Sequence, residues 1–594
     1  MRNGLLKKNE GGIRIMTIDN FNKVRFSWFI ILWGLLVLAG CGGSDGDTAA
    51  APATTFSGTA AAGAPIIGTV TIKDSTAPTA QTKTVTIEAN GNYTVDVTGL
   101  KAPYMVRADG YVGGNEYHLY SAATSADVGG TINITPLTDL IVANIAGSLA
   151  KTYFDNGSFS TLTAAQLTAQ SDALRAKLLP VLQAVGVSDS IDLLRASFST
   201  DHTGLDAALD VLRVTTDTTT GVATITNIIT QQQITSNTTT GTYSGTLTDT
   251  TGVATAATDI QAISAGFKAF SDLFATSLPS EANPTLLSLF DSATFMDGGQ
   301  DMASFLSEIT TDEEMIGISF ANISIQSMDV AEGTAVVAFD VVLNGTVEND
   351  GPEPFHMIKK ADGKWYMQGD QYIAHVDVEP RAEYHPSGML ATITTGLHIN
   401  IEDRGGRGIT SAVVTGKGLP SQGLTMVNQI NYDWFTIDGA QYGNNFYTMA
   451  DDQIAAIADS GEAYTIKLYI GATLAATYTE KLIKHPYKSS ELTAAMFPTI
   501  TAPTVDQMHA FTGGDATVSW TLPTGLTNDW LDVYINDNSG NSARFECSPA
   551  PADRSKSFTL NPVTSTGQSF TITGGGIWLS ADDSYGREFA TSMW

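Results

Sequence analysis

Three groups of side chains in this 594-residue sequence have types and spacings that chemistry could use. The run Thr334–Leu343 alternates as a strand does, which puts Asp340 on one face with Val336, Ala338 and Val342. Burial on an apolar face raises a carboxyl pKa, as proton abstraction near neutrality requires. Asp340 is therefore the candidate general base, with His356 on the following strand. The competing reading is a cross-strand ion pair of Asp340 with Lys359 across a short turn. His375, Asp377 and Glu379 also alternate, with His385 soon after, and such a face could bind a divalent cation. The simpler reading makes it the wet face of a half-buried strand whose other face carries Val376 and Val378. Third, Asp201, His202, Asp206 and Asp210 form a possible metal set. One histidine and scattered acids do not define a coordination geometry. The preferred reading is an Asp/Thr N-cap and a short amphipathic helix with Leu205, Leu209 and Leu212 inward.

Cysteine chemistry is confined to Cys41 and Cys547. No CxxCH for haem and no CxxC for a cluster or zinc occurs, and Cys547 reads as a buried, inert thiol in a strand. Cys41 closes a three-part N-terminus: basic residues up to Arg25, the apolar run 26–40, and small Ala39 and Gly40. That run is 15 residues, shorter than the roughly 20 a spanning helix needs. Leu38-Ala39-Gly40-Cys41 resembles the lipobox of bacterial lipoproteins. The resemblance implies a signal peptide over 1–40, cleavage before Cys41 and acylation of its thiol. In that family Gly42, rather than Asp, after the cysteine favours the outer membrane. Met16 is an alternative start to Met1. Residues 41–55 are small and polar and read as a flexible tether.

Net charge is −30; the first 40 residues carry six bases and two acids, so the chain from Cys41 stands at −34. Such a polyanion is repelled by nucleic acid and anionic lipid, which excludes nucleic-acid partners and leaves the acyl group as the membrane contact. With Cys41 acylated, no intrachain disulfide is possible. No GxSxG, HExxH, P-loop or GxGxxG stands in the structural context its chemistry needs. No cofactor is expected.

The elements that position these residues divide the 554 residues from Cys41 into several domains. Residues 56–127 alternate as strands, and Asn90-Gly91 signals a tight hairpin before Asn92–Val97. Gly58, Ala64-Pro65, Gly68-Thr-Val-Thr, Asn90-Gly-Asn-Tyr93 and Tyr104–Ala108 together resemble a carboxypeptidase regulatory-like domain, which implies a small β-sandwich spacer or binding module. Residues 128–214 turn helical, opening at Thr135-Pro136 and again near Thr163. In 215–258, 19 of 44 residues are threonine, which favours β-structure or an extended linker over helix. Thr-Thr-Gly recurs at 219–221, 239–241 and 250–252, the mark of repeated turns. Residues 259–378, with helices first and then strands ending Phe355-x-x-Ile-Lys-Lys-x-Asp-Gly-Lys-Trp365, are similar to the nuclear transport factor-like cone fold. That resemblance implies an α+β domain able to host either an enzyme or a binding pocket. Residues 386–495 read as a β-sandwich. Residues 503–594 resemble a fibronectin type III-like sandwich, with Ala516–Pro523 as the second strand and Trp520 as its core tryptophan.

The expected class is thus multidomain and mainly β, with an α-helical insert, one α+β cone domain and β-sandwich modules in series. The expected function is that of a non-catalytic lipoprotein of the cell envelope, lipid-anchored at the outer membrane. It would present modules to a protein or carbohydrate ligand, to which the late tryptophans (all six beyond the signal lie at or after Trp365) could contribute. The alternative is small-molecule binding or isomerase chemistry in the cone domain with Asp340 as base.

Overall fold

The computed structural model describes residues 54–593, apart from 344–345, 349–353, 387–391, 430–433, 441–442, 459–461 and 565–566. Cys41, the signal-like segment and nearly all of the tether lie outside the described residues. Strands take up 40% of the chain and helices 20%, in several separate sheets, so the class is multidomain and mainly β. No described helix is long and apolar enough to cross a membrane.

The first module is built on two sheets. Thr55–Thr59 pairs with Asn92–Asp96, and a four-stranded sheet runs Thr82–Thr86, Ile67–Lys73, Tyr104–Val112 (β1) and Asn115–Ala123 (β2). Inward residues of both sheets, Phe56, Val70, Ile72, Tyr93 and Val106 among them, form one core. The turn at Asn90-Gly91 forms, with Gly91 at φ +79°, but it does not close a hairpin. The strand before it pairs with Ile67–Lys73 and the strand after it with Thr55–Thr59, so the turn carries the chain from one sheet to the other.

Four helices follow, a short one at Ala150–Asn156 and three longer ones: α1 (Pro136–Ala146), α2 (Ala164–Ala184) and α3 (Gly204–Val211). Thr135 and Thr163 cap α1 and α2, their hydroxyls accepting from the amides of Thr138 and Gln166. The threonine-rich segment is a meander of four strands, Leu212–Thr216, Val222–Asn227, Gln233–Asn237 and Thr242–Ser244. Two Thr-Thr-Gly repeats end its hairpin turns with Gly221 and Gly241 at positive φ, and the third places Gly252 before helix α4 (Val253–Phe274). Ile260, Ile263, Phe267, Phe270 and Phe274 line one face of α4 and press on a sheet. Its strands are Ile318–Asp329 (β3), Thr334–Leu343 (β4), Phe355–Lys359 (β5) and Trp365–Gly369 (β6), in that order, with Thr346–Glu348 off β4. One continuous core joins Tyr120 of β2, the three helices, the meander and this sheet. The expected segments 128–214, 215–258 and 259–378 therefore share an interior.

The last 220 residues are organised by a seven-stranded sheet. Its strands are Phe446–Thr448 (β9), Thr392–Glu402 (β8), His375–His385 (β7), Glu588–Met593 (β13), Gly574–Asp582 (β12), Thr527–Asn536 (β10) and Ser542–Cys547 (β11), in spatial order. A five-stranded sheet covers its first half over Val376, Val378, Leu397, Ile399, Val414 and Ile466. A three-stranded sheet covers its second half over Val518, Trp520, Leu531, Val533, Ile577 and Leu579. The two sandwiches expected at 386–495 and 503–594 are thus joined edge to edge. β7 and β13 pair in parallel, Arg381 with Glu588 through Tyr384 with Thr591. The expected boundary at 378 falls inside β7. Strand alternation reveals which residues share a face but not which distant strand takes an edge.

Candidate functional site

Asp340 is buried on β4, 1% exposed, and it faces away from α4. Parity decides this: Phe339 packs on Phe267 of α4, so its neighbour Asp340 points the other way. The helix-facing side of the sheet is filled by Phe267, Phe270, Phe320, Phe339 and Phe355, whose rings meet at 4.8–5.6 Å. On the far side Asp340 meets the β1–β2 turn. Its Oδ1 accepts from the Gly114 amide at 3.0 Å and its Oδ2 from Asn322 Nδ2 at 2.7 Å. A bulge in β3, with Asn322 at φ +52°, aims that amide. Gly113 has φ +53°, and a Cβ there would stand 3.2 Å from Ala338, so this turn needs glycine twice over. Burial pushes the Asp340 carboxyl up, and the hydrogen bonds from Asn322 and Gly114 oppose it.

His356 pairs with Val336 across the sheet, so it shares Asp340's face, but Asp340 lies four residues further along, about 13 Å away. Burial lowers the His356 pKa. The expected Asp340–Lys359 ion pair does not form. Lys359 is on the opposite face, and its Nζ meets Asp259 of α4 at 2.6 Å.

His375, Asp377 and Glu379 line one face of β7, with Val376 and Val378 in the core behind them. They stand opposite Glu402, Asn400 and His398 of β8. Of the three, only Glu379 enters a compact donor set, with His398 and Glu588, all within 4.8 Å. His398 Nδ1 is 3.3 Å from Glu379 Oε2, and its Nε2 is 2.9 Å from Asn445 Nδ2. Arg381 Nε pairs with Glu588 Oε2, so a guanidinium already sits where a cation would. His385 meets Ser592 through Nδ1 and Glu383 through Nε2. A shallow cleft lined by Asp377, Glu379, Lys481, Asp582 and Tyr585 opens beside this face.

The set that sequence reasoning put aside is the most enclosed. His202, Asp206 and Asp210 bring one donor atom each within 4.8 Å of one another, and both carboxylates are buried. His202 Nδ1 lies 3.0 Å from Asp210 Oδ2 and 4.0 Å from Asp206 Oδ2. Thr203 is the N-cap residue but its hydroxyl makes no capping bond; it donates to Asp201 instead. Leu205, Leu209 and Leu212 are inward as expected, Leu212 from the first position of the next strand. Burial, then the neighbouring Asp210 charge, pushes the Asp206 carboxyl up to about 7. Burial also raises Asp210. For His202 burial works downward, but the two carboxylates outweigh it and hold the imidazole pKa up.

No family model matches the chain. No curated protein matches it either. Among solved structures, the chain is similar to the crystal structure of a tetra-tandem repeat in the extending region of a large adhesion protein. The identity is 12%, the alignment covers 91% of this chain and 97% of that one, and the TM-score is 0.12. A TM-score of that size does not establish a common fold.

The tryptophans do not form an exposed ligand face among the described residues. Trp520 is buried and donates to Asn528 at 2.9 Å. Trp434 donates to the Gly443 carbonyl, and Trp578 lies under the Arg381 guanidinium. Spacing i, i+4, i+8 was the one available signal for the His202 set, since it places all three residues on one helix face. What covers that face, α4 and the turn at Gly63, is distant in sequence.

Proposed function

We propose that this protein is a non-catalytic lipoprotein of the cell envelope, anchored through an acylated Cys41, which presents β-sandwich modules for binding or adhesion. One observation carries the choice of a binding over a catalytic role: the side of the α4 sheet where a cone-type pocket would lie is packed with phenylalanine, and Asp340 is engaged by Gly114 and Asn322 on the other side. An isomerase using Asp340 as base needs that carboxyl at the floor of an apolar chamber. The β1–β2 turn stands where its substrate would be.

In this reading residues 56–127 serve as a carboxypeptidase regulatory-like spacer next to the tether, and 259–378 as a nuclear transport factor-like scaffold with a filled cone. Residues 503–594 serve as a fibronectin type III-like module. Support for the last is the strand order counted from Thr499–Ala502 just ahead of it: strands one, two and five (Thr499–Ala502, Gly514–Thr521 and Ser555–Leu560) form one sheet and four, three, six and seven the other. The cleft at Asp377, Glu379 and Tyr585 offers carboxylates beside an aromatic ring, a lining that suits a carbohydrate or a basic peptide. Protease treatment of intact cells, with native protein and with Cys41→Ala, tests the presentation. Cleavage of the native protein on whole cells places the modules outside. Full protection, with cleavage only after the outer membrane is opened, confines them to the periplasm and removes adhesion from the proposal.

A further inference from the structure

The enclosed set at the start of α3 goes beyond any role in anchoring or presentation. His202 sits just before the helix in the left-handed region, φ +58°, where its amide donates to Asp206 Oδ2 at 2.7 Å. Its ring is thereby turned back over the first two helical turns and reaches Asp210. Gln261 of α4 donates to the His202 carbonyl at 2.9 Å, fixing the backbone from a second side. The first module closes the third side: a Cβ at Gly63 would stand 3.6 Å from Asp210 Oδ1.

Inside this enclosure Asp206 Oδ1 and Asp210 Oδ1 are buried and have no hydrogen-bond partner. An unpartnered buried carboxylate oxygen is among the costliest polar groups a fold can hold. A divalent cation held by these carboxylates offsets that cost. Ligand bonds of about 2.1 Å at tetrahedral angles put donor atoms about 3.4 Å apart. The Oδ2 atoms of Asp210 and Asp206 stand 3.0 and 4.0 Å from His202 Nδ1, either side of that value, and each orphaned Oδ1 is the other oxygen of the same carboxylate. Calcium takes six to eight oxygens, more than two carboxylates supply, whereas one imidazole nitrogen with two carboxylates suits a zinc-class ion.

We propose that His202, Asp206 and Asp210 bind one zinc-class divalent cation through Nδ1 and one oxygen of each carboxylate, fixing the turn that precedes α3 onto the helix. The proton between His202 Nδ1 and Asp210 leaves to solvent as the ion enters.

The test uses full-length protein purified in detergent, stripped with EDTA, equilibrated with ZnCl2 and desalted. Zinc per chain is counted by plasma mass spectrometry, and the thermal midpoint is followed with and without zinc. One zinc per chain is expected, with a midpoint raised by zinc. Retention is expected to fall about tenfold or more in Asp206→Asn and Asp210→Asn, and to stay at the native level in Glu379→Gln, which alters the other cluster. Less than about a tenth of an equivalent in the native protein, or a midpoint unmoved by zinc, overturns the site. So does native-level retention in both Asn variants, or loss confined to Glu379→Gln. The midpoint shift is read on the native protein, so a variant that fails to fold does not shield the proposal.

Discussion

Replacing Asp340 with alanine removes the acceptor that holds the β1–β2 turn to the α4 sheet. Two donors lose their partner at once: the Gly114 amide at 3.0 Å and Asn322 Nδ2 at 2.7 Å. A buried donor left unsatisfied costs about 1–3 kcal/mol. Against that, the alanine variant no longer buries a carboxyl whose pKa the fold raises. The net loss should be about 2–3 kcal/mol, which opens the turn roughly 30–150-fold more often. Hydrogen exchange of the Gly114 amide and its neighbours reads this opening directly, without assuming that so large a chain unfolds in one step. The pH dependence has a definite sign. A carboxyl with a raised folded pKa weakens the native protein as pH climbs above the ordinary aspartate value of about 3.9. The alanine variant lacks this loss, so the gap between the two proteins is widest in acid and narrows toward neutrality. Asp340→Asn keeps one acceptor but turns an amide donor toward the other partner, so its cost should be intermediate. Exchange at Gly114 changed less than twofold by Asp340→Ala would refute the clamp.

Two further outcomes follow from buried ion pairs. Arg195→Gln leaves Asp127 buried without its partner at 2.6 Å. Burial pushes Asp127 up, but Arg195 and Thr124 outweigh it and hold the carboxyl below the usual range. Its stabilisation is therefore present above about pH 3.9 and is lost as pH falls through the lower folded value. The variant should cost about 2 kcal/mol near neutrality, allowing for the guanidinium's partial exposure, and much less in acid, as read by thermal midpoints across pH. Glu588→Gln weakens the Arg381 contact across the parallel β7–β13 joint. It should cost about 1–3 kcal/mol and speed limited proteolysis in 483–498, between the two sandwiches, while leaving the first module's cleavage rate unchanged.

Local rules made much of the fold legible. Thr135 and Thr163 announced helix starts, the Thr-Thr-Gly repeats marked positive-φ turns, and alternation at Ile67–Lys73 and Thr334–Leu343 found strands. What alternation cannot say is which face meets which neighbour. Asp340 was correctly grouped with Val336, Ala338 and Val342, yet that face belongs to a glycine turn more than 200 residues earlier, not to a pocket. The same limit hid the β7–β13 pairing, whose partners lie 207 residues apart at Arg381 and Glu588. It also hid the His202 set: a short amphipathic helix reads as having one wet, acidic face until α4 and Gly63 close over it.

The central claim is that Cys41 is the membrane attachment. Its most direct test is to separate membranes from soluble fractions of cells expressing the native protein or Cys41→Ala and to weigh the N-terminal peptide of each by mass spectrometry. The account predicts native protein in the membrane fraction with an acylated N-terminal Cys41, and an alanine variant with no acyl mass at residue 41. A native N-terminal peptide without acyl mass, or mature protein in which segment 1–40 still precedes Cys41, would contradict it.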